Sequence, residues 1–495
     1  MARKRQSKSA QRIRKQQKRL DGMRRQNRTV FRAVLDWLIP GNTLFTKDRF
    51  HGNITWSPEE LAQQAVIWAL QDMRNVTDAF EATGEICADL GMKRVAKSYT
   101  AFMNALDRYR LVFCLRLRQH LQWLPEKVAG RFWRDDRWVL IGFDGSRVST
   151  PRTVANENEF CAPNYGHGKT AKYRKKKTKG MRRRQNEKNK PQPQAPQVWI
   201  TMMWHMSLRL PWTWRLGPSN SSERGHVIEM LEQEKFPTNT LFCGDAGFVG
   251  FPLWNALVNT AHRDFLVRVG GNVRLLSEMA DVERVKDGIV LCWPKDQMNS
   301  GIPPLRLRLV RVKIGKTRMW MLTSVLDRKR LPQKKITKYY KMRWGVEVEY
   351  RGLKQTIDKA HLRCRNSDRI YVELDWSIRA MAMAELVALR EQIQDGRNNA
   401  QQAVADYDTK ERSLANTVRA LRKCMRNMTK YADHDDDLLQ QLSRALVQKY
   451  HNHTDKKARY RPKNPDKKPL GEPTVTKLSR EQREKLRKIE EQIAG

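Results

Sequence analysis

The chain has 495 residues, which is enough for two to four domains and a sizeable core. Its 96 Lys and Arg residues against 53 Asp and Glu give a formal net charge of +43, which favours a polyanionic partner such as nucleic acid. Seven scattered cysteines without a CxxC pair argue against a disulfide framework or a zinc ribbon and favour a reducing cytoplasm, and no apolar run approaches the ~20 residues of a membrane span.

The N-terminal third is predicted to be helical after a basic arm. Residues 1–28 are a basic, low-complexity segment that is expected to be disordered by itself. Residues 29–133 have helical periodicity, with Ser57 and Ser98 as N-cap residues. Basic residues before Ser98 suit a helix-turn-helix that reads DNA ends, and a plain helical bundle fits the same residues.

Alternating strands and helices follow, and two strands each lead to an aspartate. The apolar stretch WVLIGFDGSRV is predicted to be a strand that ends at Asp144, and TLFCGDAGFVG repeats the design with Asp245. Active sites of α/β sheets collect at such strand ends, although Asp-Gly is also common turn chemistry. Between the two strands, residues 169–197 form a basic loop that is predicted to be disordered and to contact phosphates non-specifically.

The C-terminal half is predicted to begin with β-structure and then to become helical. In residues 274–326 we expect a hairpin with Asp287-Gly288 at its turn, followed by a second hairpin. Helical periodicity runs from Leu331 to about Gln394, and residues 409–450 are expected to hold two more helices. The basic tail contains a helix signal in which Ser479 and Gln482 suit a capping box.

Two acids in the segment YYKMRWGVEVEYRGLK are separated by helical geometry. Tyr340, Arg343, Glu347 and Lys354 fall within an arc of roughly 60° on a helix, whereas Glu349 points to the opposite side. Glu347 is therefore the candidate for chemistry, and Glu349 is interpreted as a solvated or structural charge. An ordinary i, i+4 pair of Arg343 with Glu347, worth a few tenths of a kcal/mol, is the simpler alternative.

Three carboxylates in a polycationic chain suit phosphoryl transfer. Carboxylate oxygens bind Mg²⁺ while leaving room for water and phosphate oxygens. Two such ions can activate the attacking oxygen and stabilise the leaving oxygen of an in-line displacement at phosphorus. The three carboxylates in question are those of Asp144, Asp245 and Glu347.

The spacing Tyr-x2-Arg-x3-Glu-x6-Lys resembles the signature of insertion sequence 4 family transposases, and FDGS and CGDAGF resemble the family's other two acidic motifs. The resemblance covers about residues 139–368. It implies an RNase H-like catalytic domain that holds two Mg²⁺ ions, with Mn²⁺ as a substitute. The ligands and catalytic residues that it implies are Asp144, Asp245 and Glu347, and the residues implied to contact DNA phosphates are Tyr340, Arg343 and Lys354.

The resemblance also implies a reaction and partners. Family members cut and paste DNA: water frees the 3′ ends of the element, and the 3′-OH attacks the target duplex. Double-stranded DNA and a homodimer in the synaptic complex are therefore expected, with no membrane association and a location in the cytoplasm at the nucleoid. Some members stack a displaced base on a tryptophan of the insertion; Trp293 and Trp320 are candidates, and a core role fits both.

The resulting expectation is an α/β protein with a β-rich insertion and helical regions on both sides. An RNase H-like nuclease that cuts without joining, and a nucleic-acid-binding protein without catalysis, remain alternatives. The expected divisions are a basic arm (1–28), a helical, candidate DNA-end-binding domain (29–133), the catalytic domain (134–273 and 327–395), the insertion (274–326), a C-terminal helical region (396–453) and a basic tail (454–495).

Overall fold

The computed structural model describes most of the chain. Described are residues 8–48, 50–160, 196–218, 221–279, 287–315, 317–398, 408–429, 437–447 and 471–494. The predicted basic loop, apart from residues 196–197, and residues 454–470 of the expected basic tail therefore lie outside the described residues.

The α-helices among the described residues are α1 (Lys8–Leu38), α2 (Gly41–Leu44), α3 (Pro58–Leu70), α4 (Val76–Asp89), α5 (Tyr99–Arg108), α6 (Arg110–Ala129), α7 (Val154–Phe160), α8 (Glu223–Gln233), α9 (Phe251–Asn255), α10 (Lys295–Asn299), α11 (Gln333–Arg343), α12 (Gly345–Arg351), α13 (Ser367–Asn398), α14 (Leu414–Thr429), α15 (Leu438–Ser443) and α16 (Arg480–Ala494). Short 3₁₀ segments cover Gly130–Trp133 and Thr409–Glu411, and π-helical turns cover Ala256–Thr260 and Gly352–Thr356.

The strands are β1 (Val139–Ser149), β2 (Gln197–His205), β3 (Leu210–Gly217), β4 (Thr240–Gly244), β5 (Asp264–Val269), β6 (Arg274–Ser277), β7 (Asp287–Cys292), β8 (Leu305–Ile314), β9 (Thr317–Thr323) and β10 (Thr474–Lys477). They form one mixed sheet in the order β10–β6–β7–β8–β9–β5–β4–β1–β2–β3. Strands β1, β4 and β5 are mutually parallel, and β2 runs antiparallel to both β1 and β3.

The α/β expectation is confirmed. The order β3–β2–β1–β4–β5, with its parallel centre and antiparallel edge, is that of an RNase H-like domain, and helical regions lie before and after it in the chain. The parallel strands are apolar runs because both faces are covered: every residue of β4 is buried. Helix α13 packs against α3, α5, α6 and β3, so it joins the helical regions to the sheet.

The β-rich segment continues the same sheet instead of forming a separate body. Strand β9 pairs with β5, and β8 with β9 forms the second predicted hairpin. The first predicted turn is wrong. Asp287 begins β7 and lies opposite Val310, while Gly288 lies opposite Leu309. Side-chain pairing with Arg308 and Arg328 holds Asp287 in this strand, which local turn preference does not reveal.

Two segments at the chain ends differ from the sequence expectation. Helix α1 begins at Lys8 and crosses the expected boundary of the basic arm at residue 28. Its second half is fastened by distant residues: Asn27 accepts a hydrogen bond from the Leu438 amide at 3.0 Å, and Arg28 pairs with Asp89 at 3.0 Å. Phe31, Val34, Leu35 and Leu38 at the end of the same helix are buried in the core, so tertiary contacts stabilise the helix across the expected boundary.

Part of the basic tail folds onto the insertion. Strand β10 pairs in parallel with β6, and the capping box that begins α16 is confirmed, with Ser479 Oγ accepting from the Gln482 amide at 3.2 Å. Leu478, Leu486 and Ile489 pack with Leu291 and Trp293 in a small hydrophobic cluster, so Trp293 has a core role. None of the described helices combines the length and apolar character needed to cross a bilayer.

Candidate active site

The two candidate aspartates lie side by side on neighbouring parallel strands. Gly142 of β1 pairs with Cys243 of β4. Asp144 lies two residues after Gly142, and Asp245 lies two residues after Cys243. Neighbouring strands are about 4.8 Å apart, and the two carboxyl groups therefore start from adjacent backbone positions. Burial raises the pKa of the Asp144 carboxyl, and the nearby charge of Asp245 adds to the effect.

Asp144 is in the interior of its strand, contrary to the prediction that the strand ends there. Pairing of β1 with β4 stops at Gly142, but pairing with β2 continues to Ser149. The longer antiparallel partner carries β1 past the point at which the parallel centre ends. Asp144 thus lies two residues beyond the last position of β1 that pairs with the parallel strand β4.

Helix α12 is fastened closely over these strands. Gly345 lies against Trp204 so tightly that a Cβ atom there would be 1.9 Å from the indole, and only glycine fits. The Tyr350 hydroxyl donates a hydrogen bond to the Asp144 carbonyl oxygen at 2.8 Å. Together these contacts hold Glu347, which lies between them in the chain, on the side of the sheet that carries Asp144.

Arg343 lies between two of the predicted acids. Its Nη1 is 3.2 Å from Asp144 Oδ2, and its Nη2 is 3.9 Å from Glu347 Oε1. The guanidinium is buried, and it lies over the Tyr340 ring at 5.6 Å from the ring centroid. The predicted i, i+4 pair with Glu347 is therefore the longer of its two ion pairs, and the one with Asp144 joins helix to sheet.

The surroundings of the Asp144 carboxyl disfavour its ionised form. Burial raises its pKa to about 6, the charges of Asp245 and Glu347 act in the same direction, and the Gly145 amide and Arg343 oppose them. The amide of Gly145 donates to Asp144 Oδ1 at 2.8 Å. A carboxyl that is buried among other carboxyls is stabilised as an anion by any additional cation.

Tyr340 and Lys354 flank this group of charges in different ways. Tyr340 is half-buried beneath Arg343. Lys354 lies in the π-helical turn that follows α12, and its Nζ donates to Ser146 Oγ at 2.8 Å. The wider turn changes the direction of Lys354 from that of an ideal α-helix, while burial lowers its pKa.

Glu349 points away from this site, as helical geometry predicts. It is buried, with 3% of its surface exposed, so the structural interpretation is confirmed and the solvated one is wrong. Its carboxyl is hydrogen-bonded to that of Glu385 on α13, and burial raises the pKa of Glu349 well above its ordinary value. Burial also raises the pKa of Glu385 to about 7, opposed by Arg412 and Arg209.

The donor chemistry of the site fits a divalent cation, but its side chains are not gathered around one. Among the described residues, no three Asp, Glu, His or Cys side chains form a group that could hold a metal ion. The available donors are hard carboxylate oxygens, which Mg²⁺ and Mn²⁺ prefer. One oxygen of Asp144, Oδ2, is already paired with the Arg343 guanidinium.

Sequence reasoning missed a fourth acid at this place. Glu223, the first residue of α8, is half-buried, and its Oε1 lies against Gly145. Burial raises its pKa, and the charges of Asp144 and Asp245 add to the effect. The sequence shows Glu223 only as an acid after the N-cap Ser222, a common helix-start pattern that does not reveal this contact.

The comparison with protein families bears on the same region. Residues 140–383 match the family model described as the transposase DDE domain, and this range contains Asp144, Asp245 and Glu347. Over 249 residues the chain is 25% identical to the transposase InsG for insertion sequence element IS4 of Escherichia coli (strain K12). That alignment covers 48% of this chain and 50% of the relative, so the chain spans about half the length of that relative.

A solved structure shows a more distant similarity. A chain of the piggyBac transposase synaptic complex with hairpin DNA aligns with 85% of this chain and 83% of its own length. The identity is 13% and the TM-score is 0.36, a value too low to relate the two folds in detail.

Proposed function

Residues 140–383 of this chain are a transposase DDE domain, which belongs to a family of metal-dependent phosphoryl-transfer catalysts, and from that premise we propose that the protein is a DNA transposase. It cleaves double-stranded DNA at the ends of an insertion sequence and joins the freed 3′ ends to target DNA. A homodimer synapses the two ends, at the nucleoid in the cytoplasm. The observation that carries the proposal is the placement of the three acids. Asp144 and Asp245 each lie two residues beyond the paired positions Gly142 and Cys243, and Arg343 pairs with both Asp144 and Glu347.

Asp144, Asp245 and Glu347 are the proposed ligands of two Mg²⁺ ions, for which Mn²⁺ can substitute. When bound, such ions activate the attacking oxygen and stabilise the leaving oxygen. The negative charge of the three carboxylates would also keep the metal cations in a site that must admit the polyanionic DNA. The raised pKa of Asp144 supports this assignment, since a cation would relieve the repulsion among the carboxylates.

The other three residues of the signature, Tyr340, Arg343 and Lys354, have two proposed roles. Tyr340 and Lys354 flank the carboxylates and contact DNA phosphates near the cut. Arg343 holds Asp144 and Glu347 together while no DNA is bound. When the substrate arrives, Arg343 leaves Asp144 and pairs with a phosphate, for which its planar guanidinium is well suited.

The deciding experiment is cleavage and joining of duplexes that carry the terminal sequences of the element, with Mg²⁺ or Mn²⁺. Wild-type protein should release 3′-OH ends and join them to a second duplex. Asp245→Asn should abolish both products and retain DNA binding, whereas Asp296→Asn, at an exposed position of α10, should behave as wild type. Cleavage without joining would support a nuclease, and equal product from Asp245→Asn would refute the assigned site.

A further inference from the structure

A groove with basic and apolar walls runs beside helices α11 and α12. It holds about 630 Å³, and the β2–β3 hairpin supplies its opposite wall with Trp204, Met206 and Arg209. None of the proposed metal ligands is among the described residues that line it. The groove is therefore a separate feature of this region, and the candidate active site does not account for it.

The charge of the groove is positive. Its lining contains four basic residues, Arg209, Lys334, Lys338 and Lys341, and none of the described lining residues is acidic. All three lysines are exposed; Lys338 pairs with Asp135, whereas Lys334 and Lys341 have no ion-pair partner among the described residues. Spacings of four and three residues place the lysines along one side of α11, about one helical turn apart. Such a row suits the phosphates of a nucleic-acid strand.

Apolar side chains give the groove a second character. Trp344 and Val348 have 57% and 37% of their surface exposed, and Met206 and Met342 also line the groove. A ligand that offered phosphates alone would leave these side chains in water. Unpaired bases stack on aromatic rings, and a basic groove with an exposed aromatic ring is typical of proteins that bind single strands. Duplex DNA keeps its base faces inside its own stack, so it fits this lining less well.

The groove and Glu347 lie on different sides of the same helical unit. Trp344 has helical backbone angles and joins α11 to α12, so the angular repeat continues through it. The three lysines are then roughly 120° to 180° away from Glu347 around the helix axis. Trp344 is about 60° away from Glu347 and stands between the two sides. A strand that leaves the carboxylates can therefore enter the groove across Trp344.

We propose that this groove binds an unpaired segment of a DNA strand, with a base stacked on Trp344 and phosphates held by Lys334, Lys338 and Lys341. This inference rests on the proposed function for the identity of the nucleic acid. It adds a site for single-stranded DNA beside the carboxylates at which the strand is cut. Duplex DNA and a second protein chain are the rival occupants.

The test is the affinity of the full-length protein for a labelled oligothymidylate of about 12 nucleotides and for a duplex of the same length, measured by fluorescence anisotropy. Trp344→Ala should weaken binding of the single strand at least about 5-fold and leave duplex binding unchanged, because a base loses its stacking partner. Trp344→Phe keeps an aromatic face and should restore most of the affinity. Trp123→Ala, at an exposed position of α6 beside Lys127, is the matched control and should bind both as wild type.

Three results would overturn the proposal. The first is wild-type affinity of Trp344→Ala for the single strand. The second is an equal loss for the single strand and the duplex, which would assign the groove to duplex DNA. The third is a changed oligomeric state of Trp344→Ala with unchanged strand binding, which would assign the groove to a protein partner.

The row of lysines gives a second measurement. Lys334→Gln/Lys341→Gln should reduce the slope of log affinity against log salt concentration by about 1.4, since each phosphate contact of a single strand contributes about 0.7. Lys127→Gln/Lys313→Gln removes the same charge at exposed positions outside the groove and should keep the wild-type slope. Equal changes in both double variants would mean that net charge alone matters, and they would count against the groove.

Failure of this inference is distinguishable from failure of the proposed function. If Trp344→Ala binds the single strand as wild type does, and the wild type cleaves and joins element ends, the groove has no such role and the transposase proposal stands. If Trp344→Ala loses affinity for the single strand but the wild type cuts no element-end DNA, the groove stands as a nucleic-acid site and the transposase proposal fails.

Discussion

The two faces of helix α12 carry acids two residues apart in very different surroundings. Glu347 has 38% of its side chain exposed and lies 3.9 Å from Arg343, on the side of the sheet with Asp144. Glu349 is buried against Glu385 of α13. The first carboxylate is accessible to solvent and ions, whereas burial of the second raises its pKa well above the ordinary value.

This difference separates an acid that can take part in chemistry, Glu347, from an acid with a structural role, Glu349. A carboxylate that binds a metal cation needs access to that cation, and the partial exposure of Glu347 provides it. A buried carboxyl can avoid the cost of desolvating a charge by keeping its proton and sharing it with a second carboxyl. Helix α12 therefore uses one glutamate, Glu347, at the candidate site and another, Glu349, in its contact with α13.

The largest expected effect comes from neutralising the exposed acid. Glu347→Gln should lower the rate of DNA cleavage roughly 100- to 1,000-fold, the range found when one preorganised electrostatic contact is lost at an active site. Its folding should be nearly unchanged, since the side chain is partly exposed. Single-turnover cleavage of element-end duplexes measures the effect, with Glu349→Gln as the matched variant two residues away. Equal losses from both variants would erase the distinction between the faces.

The second prediction concerns stability, for which Glu349 should matter more than Glu347. Glu349→Ala should reduce the free energy of unfolding by roughly 2–3 kcal/mol, since Glu385 loses its hydrogen-bond partner inside the protein. Glu349→Gln preserves volume and can still donate to Glu385, so it should cost less than about 1 kcal/mol. Chemical denaturation followed by tryptophan fluorescence measures both. A stable Glu349→Ala variant would mean that the buried pair contributes little.

Sequence periodicity sufficed to separate these two acids, and its success has a physical reason. The 3.6-residue repeat places Glu347 and Glu349 on opposite sides of any helix, so the distinction needs no tertiary information. The apolar runs before Asp144 and Asp245 similarly predict buried parallel strands, because only strands covered on both faces lack alternation. The family match over residues 140–383 is consistent with both predictions.

The remaining features depend on contacts between distant parts of the chain. The approach of Glu223 depends on the missing side chain of Gly145, and the partner of Glu349 lies on another helix. Neither pairing has a local signature. Strand β10 was overlooked for the same reason, since a four-residue polar strand in a basic tail is stabilised by its pairing with β6.

The smallest expected effect is a change in pH dependence that belongs to the buried face alone. A carboxyl whose pKa is raised on folding stabilises the folded state below its unfolded pKa, and this contribution is lost as pH rises through the folded pKa. For Glu385 the pH window runs from 4.5 to about 7, and the raised pKa of Glu349 acts in the same direction. The double variant Glu349→Gln/Glu385→Gln should therefore lose less stability than wild type between pH 5 and neutrality.

Asp144 titrates in an overlapping window, but it is present in both proteins, so the difference between their curves isolates the buried pair. Thermal unfolding midpoints recorded across the pH series measure that difference, with Glu126→Gln, at an exposed position of α6, as the control. Arg412 and Arg209 face the pair in both proteins, so they do not contribute to the difference between the two curves. Parallel curves for the double variant and wild type would show that Glu349 and Glu385 keep ordinary pKa values. The difference between Glu347 and Glu349 would then be one of burial alone.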